Sequence, residues 1–234
     1  MKNVISAPLN AVKDTIHIPA SKSISNRMLI IRSLAQSMAG LYNLSESDDT
    51  EVLSKSLDAQ SDVKDVGHAG TSMRFLTAYF ATQPGEVILT GSQRMKQRPI
   101  GPLVDALKQV GANIEYLENK GCPPLKIKGG RLIGGNIEIE AGISSQFISA
   151  LMMIAPLLSG GLTIELKGDV VSSSYIEMTL SLMNSCGAGA SFDGRNISVP
   201  QGAYSMEHLT VESDWSGASY WFQVAALLPG SEIL

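Results

Sequence analysis

An internal duplication constrains the fold of this chain more than any other feature of its sequence. Each copy has an apolar helix pattern, an alternating strand pattern that ends in glycine, and an amphipathic helix pattern that ends in Gly-Ala. These landmarks lie at 71–82, 86–91 and 100–112 in one copy and at 145–158, 162–168 and 176–188 in the other. Gly91 and Gly168 are 77 positions apart. A period this long indicates two copies of a whole α/β unit rather than a thin solenoid repeat.

A shorter copy precedes these two. It has an apolar helix pattern at 25–38 and a second helix pattern at 50–57, and only residues 58–67 separate that helix from His68. We therefore expect an α/β (α+β) fold of three units around a pseudo-threefold axis, with buried helices inside and sheets outside. The first unit is expected to lack a pair of strands. Such packing brings the polar starts of the three apolar helices toward one face.

Each of the three apolar helix patterns begins at a small polar cluster. The clusters are Ser21-Lys22-Ser23, Gly70-Thr71-Ser72 and Ser144-Ser145-Gln146. Helix N-termini carry unpaired N–H groups and about half a positive charge, so a polar cluster there either caps the helix or binds an anion. Lys22 and Arg27 flank the first start and favour recognition of a phosphate or carboxylate. The alternative is a serine cap beside solvated surface charges.

Two further segments are candidates for anion binding. Arg94, Lys96 and Arg98 precede Pro99 at the start of a helix pattern, and a guanidinium there suits bidentate binding of a carboxylate or phosphate. Three serines and a tyrosine at 172–175 offer more hydroxyl groups than a cap needs. Both segments are equally compatible with solvated loops. For His68 a structural role is expected, and for Glu212 and Asp214 a linker or capping role.

Composition excludes several classes of function. The 234 residues carry a net charge of −4, whereas nucleic-acid-binding proteins usually have a strongly basic patch. The two cysteines and three histidines show no metal-ligand spacing, and the thiols are expected to be free in a reducing compartment. The N-terminal residues lack the apolar core of a signal peptide, and the longest apolar run is too short to span a bilayer. We therefore expect a soluble cytoplasmic protein that binds neither nucleic acid nor membrane.

Familiar catalytic motifs are missing from the sequence. It shows no Walker lysine motif, no GxGxxG fingerprint and no Ser-His-Asp arrangement. An enzyme of this sequence would act on an anionic small molecule by electrostatic positioning, without a recognisable nucleophile or cofactor.

Several motifs together resemble the 5-enolpyruvylshikimate-3-phosphate synthase family. They lie, in the family's order, at 21–27, 69–74, 89–91, 94–100, 144–147 and 174–176. The resemblance implies transfer of the enolpyruvyl group of phosphoenolpyruvate to the 5-hydroxyl of shikimate 3-phosphate, with release of phosphate. This reaction belongs to the synthesis of chorismate and the aromatic amino acids, passes through a tetrahedral intermediate and needs no metal or organic cofactor.

The same resemblance implies a role for individual residues. Lys22 would contact both substrates and is the candidate catalytic residue. Shikimate 3-phosphate would be bound by Ser23, Arg27, Ser144, Ser145, Ser172 and Tyr175. Phosphoenolpyruvate would be bound by Gly70, Arg98 and Gln146, with Thr71 nearby. The chain departs from the family at His68, where asparagine is usual, and at Phe75, where many members have proline.

The family has two similar domains that close over the substrates, and this chain resembles only the first. The resemblance therefore implies a strand remnant of the second domain at 1–19, a shikimate-3-phosphate-binding domain at 20–213, and the start of the incomplete second domain at 214–234. The missing domain would supply a catalytic Asp, a Glu and several cations. It is the expected partner, and we expect the chain to be inactive alone.

Two other functions are compatible with parts of this pattern. A related enolpyruvyl transferase acts on UDP-N-acetylglucosamine, but it usually has a cysteine in the loop that corresponds to 92–97, where this chain has none. A non-catalytic module that binds a phosphorylated ligand could share the fold. Such a module would not need Lys22, Arg27 and Arg98 together.

Overall fold

Helices and strands alternate along most of the chain, as the duplicated pattern predicts. The computed structural model describes residues 10–170 and 173–234. Its helices are α1 (Lys22–Leu34), α2 (Asp48–Asp58), α3 (Gly70–Thr82), α4 (Gly101–Gln109), α5 (Ser145–Ile154), α6 (Ser173–Ser185) and α7 (Trp215–Leu227). Its strands are β1 (Lys13–Asp14), β2 (Leu41–Tyr42), β3 (Val63–Asp65), β4 (Gly85–Thr90), β5 (Asn113–Tyr116), β6 (Leu125–Gly129), β7 (Ile133–Glu140), β8 (Ser159–Lys167), β9 (Ser191–Phe192), β10 (Asn196–Val199), β11 (Leu209–Thr210) and β12 (Glu232–Ile233).

Two four-stranded sheets have the same topology. Their strand orders are β3-β4-β6-β5 and β7-β8-β10-β9. In each sheet the first two strands are parallel and the remaining neighbours are antiparallel. A parallel pair needs a crossover connection, which is α3 in one sheet and α5 in the other. The duplication predicted from the sequence is therefore confirmed as two βαβαββ units.

The first unit is shorter, as expected. It contains α1, β2 and α2. Among the described strands, β2 pairs only with β11, in a two-stranded parallel sheet. The short segment 58–67 contains β3, which joins the sheet of the following unit. The first unit therefore presents two helices to the core without a four-stranded sheet of its own.

Helices α1, α3 and α5 form the centre of the hydrophobic core. All residues of α5 from Phe147 to Ile154 are buried, because this helix is apolar on every side. Helix α3 contacts both α1 and α5, and each of the three begins at one of the predicted polar clusters. The core therefore holds three polar helix starts in fixed relative positions.

Two predicted helix ends are wrong. Helix α1 ends at Leu34 and not at residue 38, because Gln36 adopts a positive φ of 50° and Met38 is 97% exposed. Helix α5 ends at Ile154 and continues as a 3-10 turn over Ala155–Leu157. Pro156 in that turn has no N–H to continue the α-helical hydrogen bonds.

The described parts of the two terminal segments lie together. Strand β1 pairs with β12, and Ala20 forms an isolated bridge with Ser213. Asp214 caps α7 by accepting a hydrogen bond from the N–H of Ser216, which confirms the expected capping role. The assignment of 1–19 and 214–234 to the second domain stays a prediction.

Candidate functional site

Four helices begin around one cavity of about 240 Å³. They are α1, α3, α5 and α6, so the convergence of polar helix starts is present in the structure. The cavity is lined by Lys22, Ser23, Asn26, Arg27, Thr71, Ser144, Ser145, Gln146 and Tyr175. Helix N-termini that point toward one cavity add their partial positive charges there. The cavity is therefore suited to an anionic ligand.

Arg27 lies beneath this cavity and is held by hydroxyl groups. Its Nε donates to Thr179 Oγ1 at 2.7 Å, and its Nη2 donates to Ser149 Oγ at 2.9 Å. Only 2% of the residue is exposed. Burial lowers the pKa of Arg27 to about 10, so the side chain is still a cation at neutral pH. The cavity keeps this positive charge because the hydroxyl partners do not neutralise it.

Aromatic rings complete the surroundings of Arg27. The Phe75 and Tyr175 rings lie 5.4 and 5.8 Å from its Cζ atom, which is cation–π range. Phe75 is one of the two departures from the family pattern. It lies within the continuous helix α3 and is almost fully buried. Its ring therefore supports the Arg27 guanidinium and does not interrupt the helix.

Lys22 is the more accessible cation of the cavity. Its side chain is 45% exposed, and Asp49 Oδ2 lies 3.7 Å from Nζ. Asn26, on the same helix, accepts a hydrogen bond from Thr50 Oγ1 at 2.7 Å. The ion pair between Lys22 and Asp49 is weak, because its atoms are far apart and the lysine side chain is partly exposed. The Lys22 ammonium is therefore available to a ligand.

Arg98 lies in a neighbouring cavity of about 350 Å³ with His68, Arg94 and Met95. Its guanidinium packs against Gly70, where any Cβ would overlap it. A side chain at this helix start would therefore displace the Arg98 guanidinium, and the missing Cβ of Gly70 allows the close approach. Since Gly70 is followed by Thr71, which lines the first cavity, the two cavities meet at the start of α3.

Two hydrogen bonds order the rim of these cavities. Gln146 Nε2 donates to Thr71 Oγ1 at 3.2 Å and joins the starts of α5 and α3. His68 Nδ1 lies 2.9 Å from Ser92 Oγ, which also accepts a hydrogen bond from the N–H of Met95. His68 therefore lines the Arg98 cavity, although the sequence suggested only a structural role for it.

The structure describes nearly all of the predicted site residues. Ser144 caps α5 by accepting a hydrogen bond from the N–H of Gln146 at 3.3 Å. Ser172 lies outside the described residues.

The sequence did not lead us to Ser149 and Thr179, the two hydroxyl partners of Arg27. A hydroxyl group in an otherwise buried helix was an available signal for both. Among residues 10–170 and 173–234 there is no group of three His, Cys, Asp or Glu side chains that could hold a metal ion.

Comparisons with known proteins agree with this arrangement. A family model described as EPSP synthase (3-phosphoshikimate 1-carboxyvinyltransferase) matches residues 7–59 and 51–234. A 3-phosphoshikimate 1-carboxyvinyltransferase of Bacteroides fragilis is 50% identical over 234 residues, which are all of this chain and 57% of that protein. The protein of that name from Shewanella sediminis is 40% identical and is covered over 61% of its length.

A solved structure has the same fold. EPSP synthase from Acinetobacter baumannii superposes with a TM-score of 0.85 at 22% sequence identity, over 97% of this chain and 56% of that one. The chain thus spans about three fifths of the length of the curated relatives it matches.

Proposed function

This chain belongs to the EPSP synthase family, and we propose that it is the substrate-binding part of an enolpyruvyl transferase. The reaction transfers the enolpyruvyl group of phosphoenolpyruvate to the 5-hydroxyl of shikimate 3-phosphate and releases phosphate. The observation that carries the proposal is the cavity at which Lys22, Arg27 and four helix starts meet. Two polyanionic substrates need positive potential at two adjacent positions, and the two cavities supply it.

Shikimate 3-phosphate is assigned to the cavity above Arg27. Its phosphate would be bound by Ser144, Ser145 and Ser172, where the start of α5 adds backbone N–H groups. Arg27 and Ser23 would hold the carboxylate and the ring, and Tyr175 would cover one side. Because Arg27 is locked by Thr179 and Ser149, it would bind without losing side-chain entropy on association.

Phosphoenolpyruvate is assigned to the boundary of the two cavities. Arg98 and the Gly70 backbone would bind its anionic groups, and Gln146 would approach from the start of α5, with Thr71 nearby. Lys22 would contact both substrates, because it lines the cavity above Arg27 and its ammonium is only weakly paired with Asp49. This placement brings the 5-hydroxyl and the enolpyruvyl carbon together and lowers the entropic part of the barrier.

The chemical step joins the 5-hydroxyl oxygen to the central carbon of phosphoenolpyruvate. That oxygen loses a proton while the methylene carbon gains one and becomes a methyl group, which gives a tetrahedral intermediate. Loss of phosphate together with a proton from this methyl group then forms the carbon–carbon double bond of the enol ether product. The cations of this chain would stabilise the negative charge on both substrates throughout. The proton-transfer carboxylates are expected in the remainder of the relatives' length, so the chain alone is expected not to turn over.

Helix α7 is the expected contact to that remainder. None of its residues is buried, and Trp215, Tyr220 and Phe222 are at least 62% exposed. An apolar surface of this kind marks an interaction site.

None of the described helices is long and apolar enough to cross a membrane. Cys122 and Cys186 are free thiols, as is usual in a reducing compartment, so a cytoplasmic location is part of the proposal.

Calorimetric titration of the chain with shikimate 3-phosphate tests the proposal. We expect binding with a millimolar or lower dissociation constant, and at least tenfold weaker binding by Lys22→Ala, whose loss removes a charge-assisted contact. Lys128→Ala, an exposed lysine on β6, is the matched control and should bind like the parent chain. Absence of heat at millimolar ligand would contradict the proposal. Binding of UDP-N-acetylglucosamine in its place would favour the nucleotide-sugar transferase, for which the structure offers no specific support.

A further inference from the structure

Arg74 is a buried cation to which the site described above gives no role. It lies on α3, one turn after Gly70, and only 5% of the residue is exposed. Its Nη1 donates to the Gly70 carbonyl oxygen at 2.7 Å, and the Phe147 ring lies 5.8 Å from its Cζ atom. Its Nε is buried without a hydrogen-bond partner. A buried charge with an unsatisfied donor is costly to folding, so stability alone does not explain it.

A second cation lies close to Arg74. Burial is the main reason why the pKa of Arg74 is lowered to about 10, and the positive charge of Arg98 contributes to this lowering. In the part of the chain that the structure describes, no carboxylate oxygen lies within 4.0 Å of either guanidinium. Two neighbouring cations without a counter-ion create a positive potential that an anion relieves.

Gly70 connects Arg74 to the candidate site. Its carbonyl oxygen accepts the Arg74 hydrogen bond, and its α-carbon is the surface against which the Arg98 guanidinium packs. Arg74 thus lies behind the helix start and Arg98 lies in front of it. Any group that fixes Gly70 also fixes the position of Arg98.

We propose that Arg74 is a positioning residue for the phosphoenolpyruvate subsite, where it fixes the Gly70 turn and adds an uncompensated positive charge behind Arg98. The inference rests on the proposed function, since it names that substrate. In this role Arg74 acts through Gly70 and Arg98, since the residue is only 5% exposed and its Nη1 donates to the Gly70 carbonyl oxygen. It raises the affinity of the subsite for a multiply charged anion at the expense of folding stability.

Arg74→Met separates this role from a purely structural one. Methionine retains a long unbranched side chain but removes the buried charge. The charge contributes about tenfold to affinity if the anion is roughly 10 Å away at an effective dielectric constant of about 20. We expect phosphoenolpyruvate to bind about tenfold more weakly, while the thermal midpoint of unfolding stays the same or rises. A residue that only supports the fold would lower that midpoint instead.

The experiment follows the Arg98 Nε–H and Gly70 N–H signals of the ¹⁵N-labelled chain by NMR during titration with phosphoenolpyruvate. Arg74→Lys, which keeps the charge, should remain within about threefold of the parent affinity. Arg131→Met removes an exposed arginine ahead of β7 and is the matched control for net charge. Titration with shikimate 3-phosphate should show a clearly smaller loss of affinity in Arg74→Met than titration with phosphoenolpyruvate, because shikimate 3-phosphate is assigned to the cavity above Arg27 and does not depend on the Gly70 turn.

The outcomes distinguish the two proposals. Unchanged phosphoenolpyruvate affinity in Arg74→Met, an unfolded Arg74→Met variant, or no response of Arg98 in the parent chain would each overturn the role of Arg74. Failure of Arg74→Lys to restore the affinity would do the same. Failure of the parent chain to bind shikimate 3-phosphate would instead overturn the proposed function.

Discussion

Replacement of Thr179 by valine tests how the Arg27 cation is held. Thr179 Oγ1 accepts a hydrogen bond from Arg27 Nε at 2.7 Å and donates to the Tyr175 carbonyl oxygen at 2.7 Å. Valine has nearly the same shape and cannot accept a hydrogen bond. Thr179→Val therefore leaves a charged N–H of Arg27 buried without its partner.

The lost contact with Arg27 dominates the expected cost, although Ser149 Oγ, 2.9 Å from Thr179 Oγ1, also loses a partner. A hydrogen bond to a charged group contributes roughly 1.5–3 kcal/mol, and the additional buried methyl group of valine returns less than about 1 kcal/mol. We expect the free energy of unfolding to fall by about 2 kcal/mol. For a domain of this size, that corresponds to a thermal midpoint lower by roughly 4–8 °C.

Urea unfolding followed by circular dichroism measures this difference, and the chain contains a matched control. Thr77 is also fully buried in a helix, and its hydroxyl donates only to the Met73 carbonyl oxygen, at 2.7 Å. Thr77→Val leaves no donor without a partner, because that carbonyl oxygen still accepts its helical hydrogen bond. We expect its effect to stay below about 1 kcal/mol.

A double-mutant cycle with Arg27→Met isolates the interaction. Without the guanidinium, Thr179→Val should lose only the weaker contact between neutral hydroxyl groups of Thr179 and Ser149, so the coupling energy between Thr179 and Arg27 should be about 2 kcal/mol. Equal losses in Thr179→Val and Thr77→Val, or a coupling energy near zero, would refute the conclusion that hydroxyl groups hold Arg27 in place.

Two further predictions concern the third unit. Gly134→Ala places a Cβ onto the Gly161 carbonyl oxygen of the adjacent strand. Because neither backbone can move away, urea unfolding should show a free energy of unfolding that is lower by at least about 2–3 kcal/mol. Gly142→Ala, with no atom within 4 Å of the added Cβ, should leave that free energy nearly unchanged. The N–H of Asn196 and neighbouring donors lower the pKa of Asp193 from 3.8 to about 2. Its stabilising effect should therefore be complete above pH 4 and decline between about pH 4 and 2, and Asp193→Asn should weaken this decline in acid unfolding.

The repeated units could be predicted because their signals are local. Helix α3 and strand β4 follow from the periodicity of their own residues, and the glycine after each amphipathic helix indicates where it ends. The same landmarks occur twice, so each copy supports the interpretation of the other. Short pairings lack such a signal. Strands β2 and β11 have two residues each and pair across more than 160 positions.

The site was predictable only in part, for a related reason. The polar clusters at the helix starts are visible in the sequence, and the resemblance implies which ligand each of them would bind. The partners of Arg27 are 122 and 152 positions away, and each is a single hydroxyl in a buried helix. The placement of Arg98 beside Gly70 depends on how the segment before α4 packs against α3. No local pattern encodes that contact.

The cations of the site are held in a way that preserves their charge. Arg27 is fixed by Thr179 and Ser149, and Arg74 by the Gly70 carbonyl oxygen and the Phe147 ring. A carboxylate partner would satisfy the same donors more strongly, but it would cancel the positive potential and compete with an anionic ligand. Hydroxyl, carbonyl and aromatic partners fix a guanidinium without neutralising it. This explains how a chain with a net charge of −4 presents two cavities suited to anions, and why their support comes from the buried helices rather than from surface ion pairs.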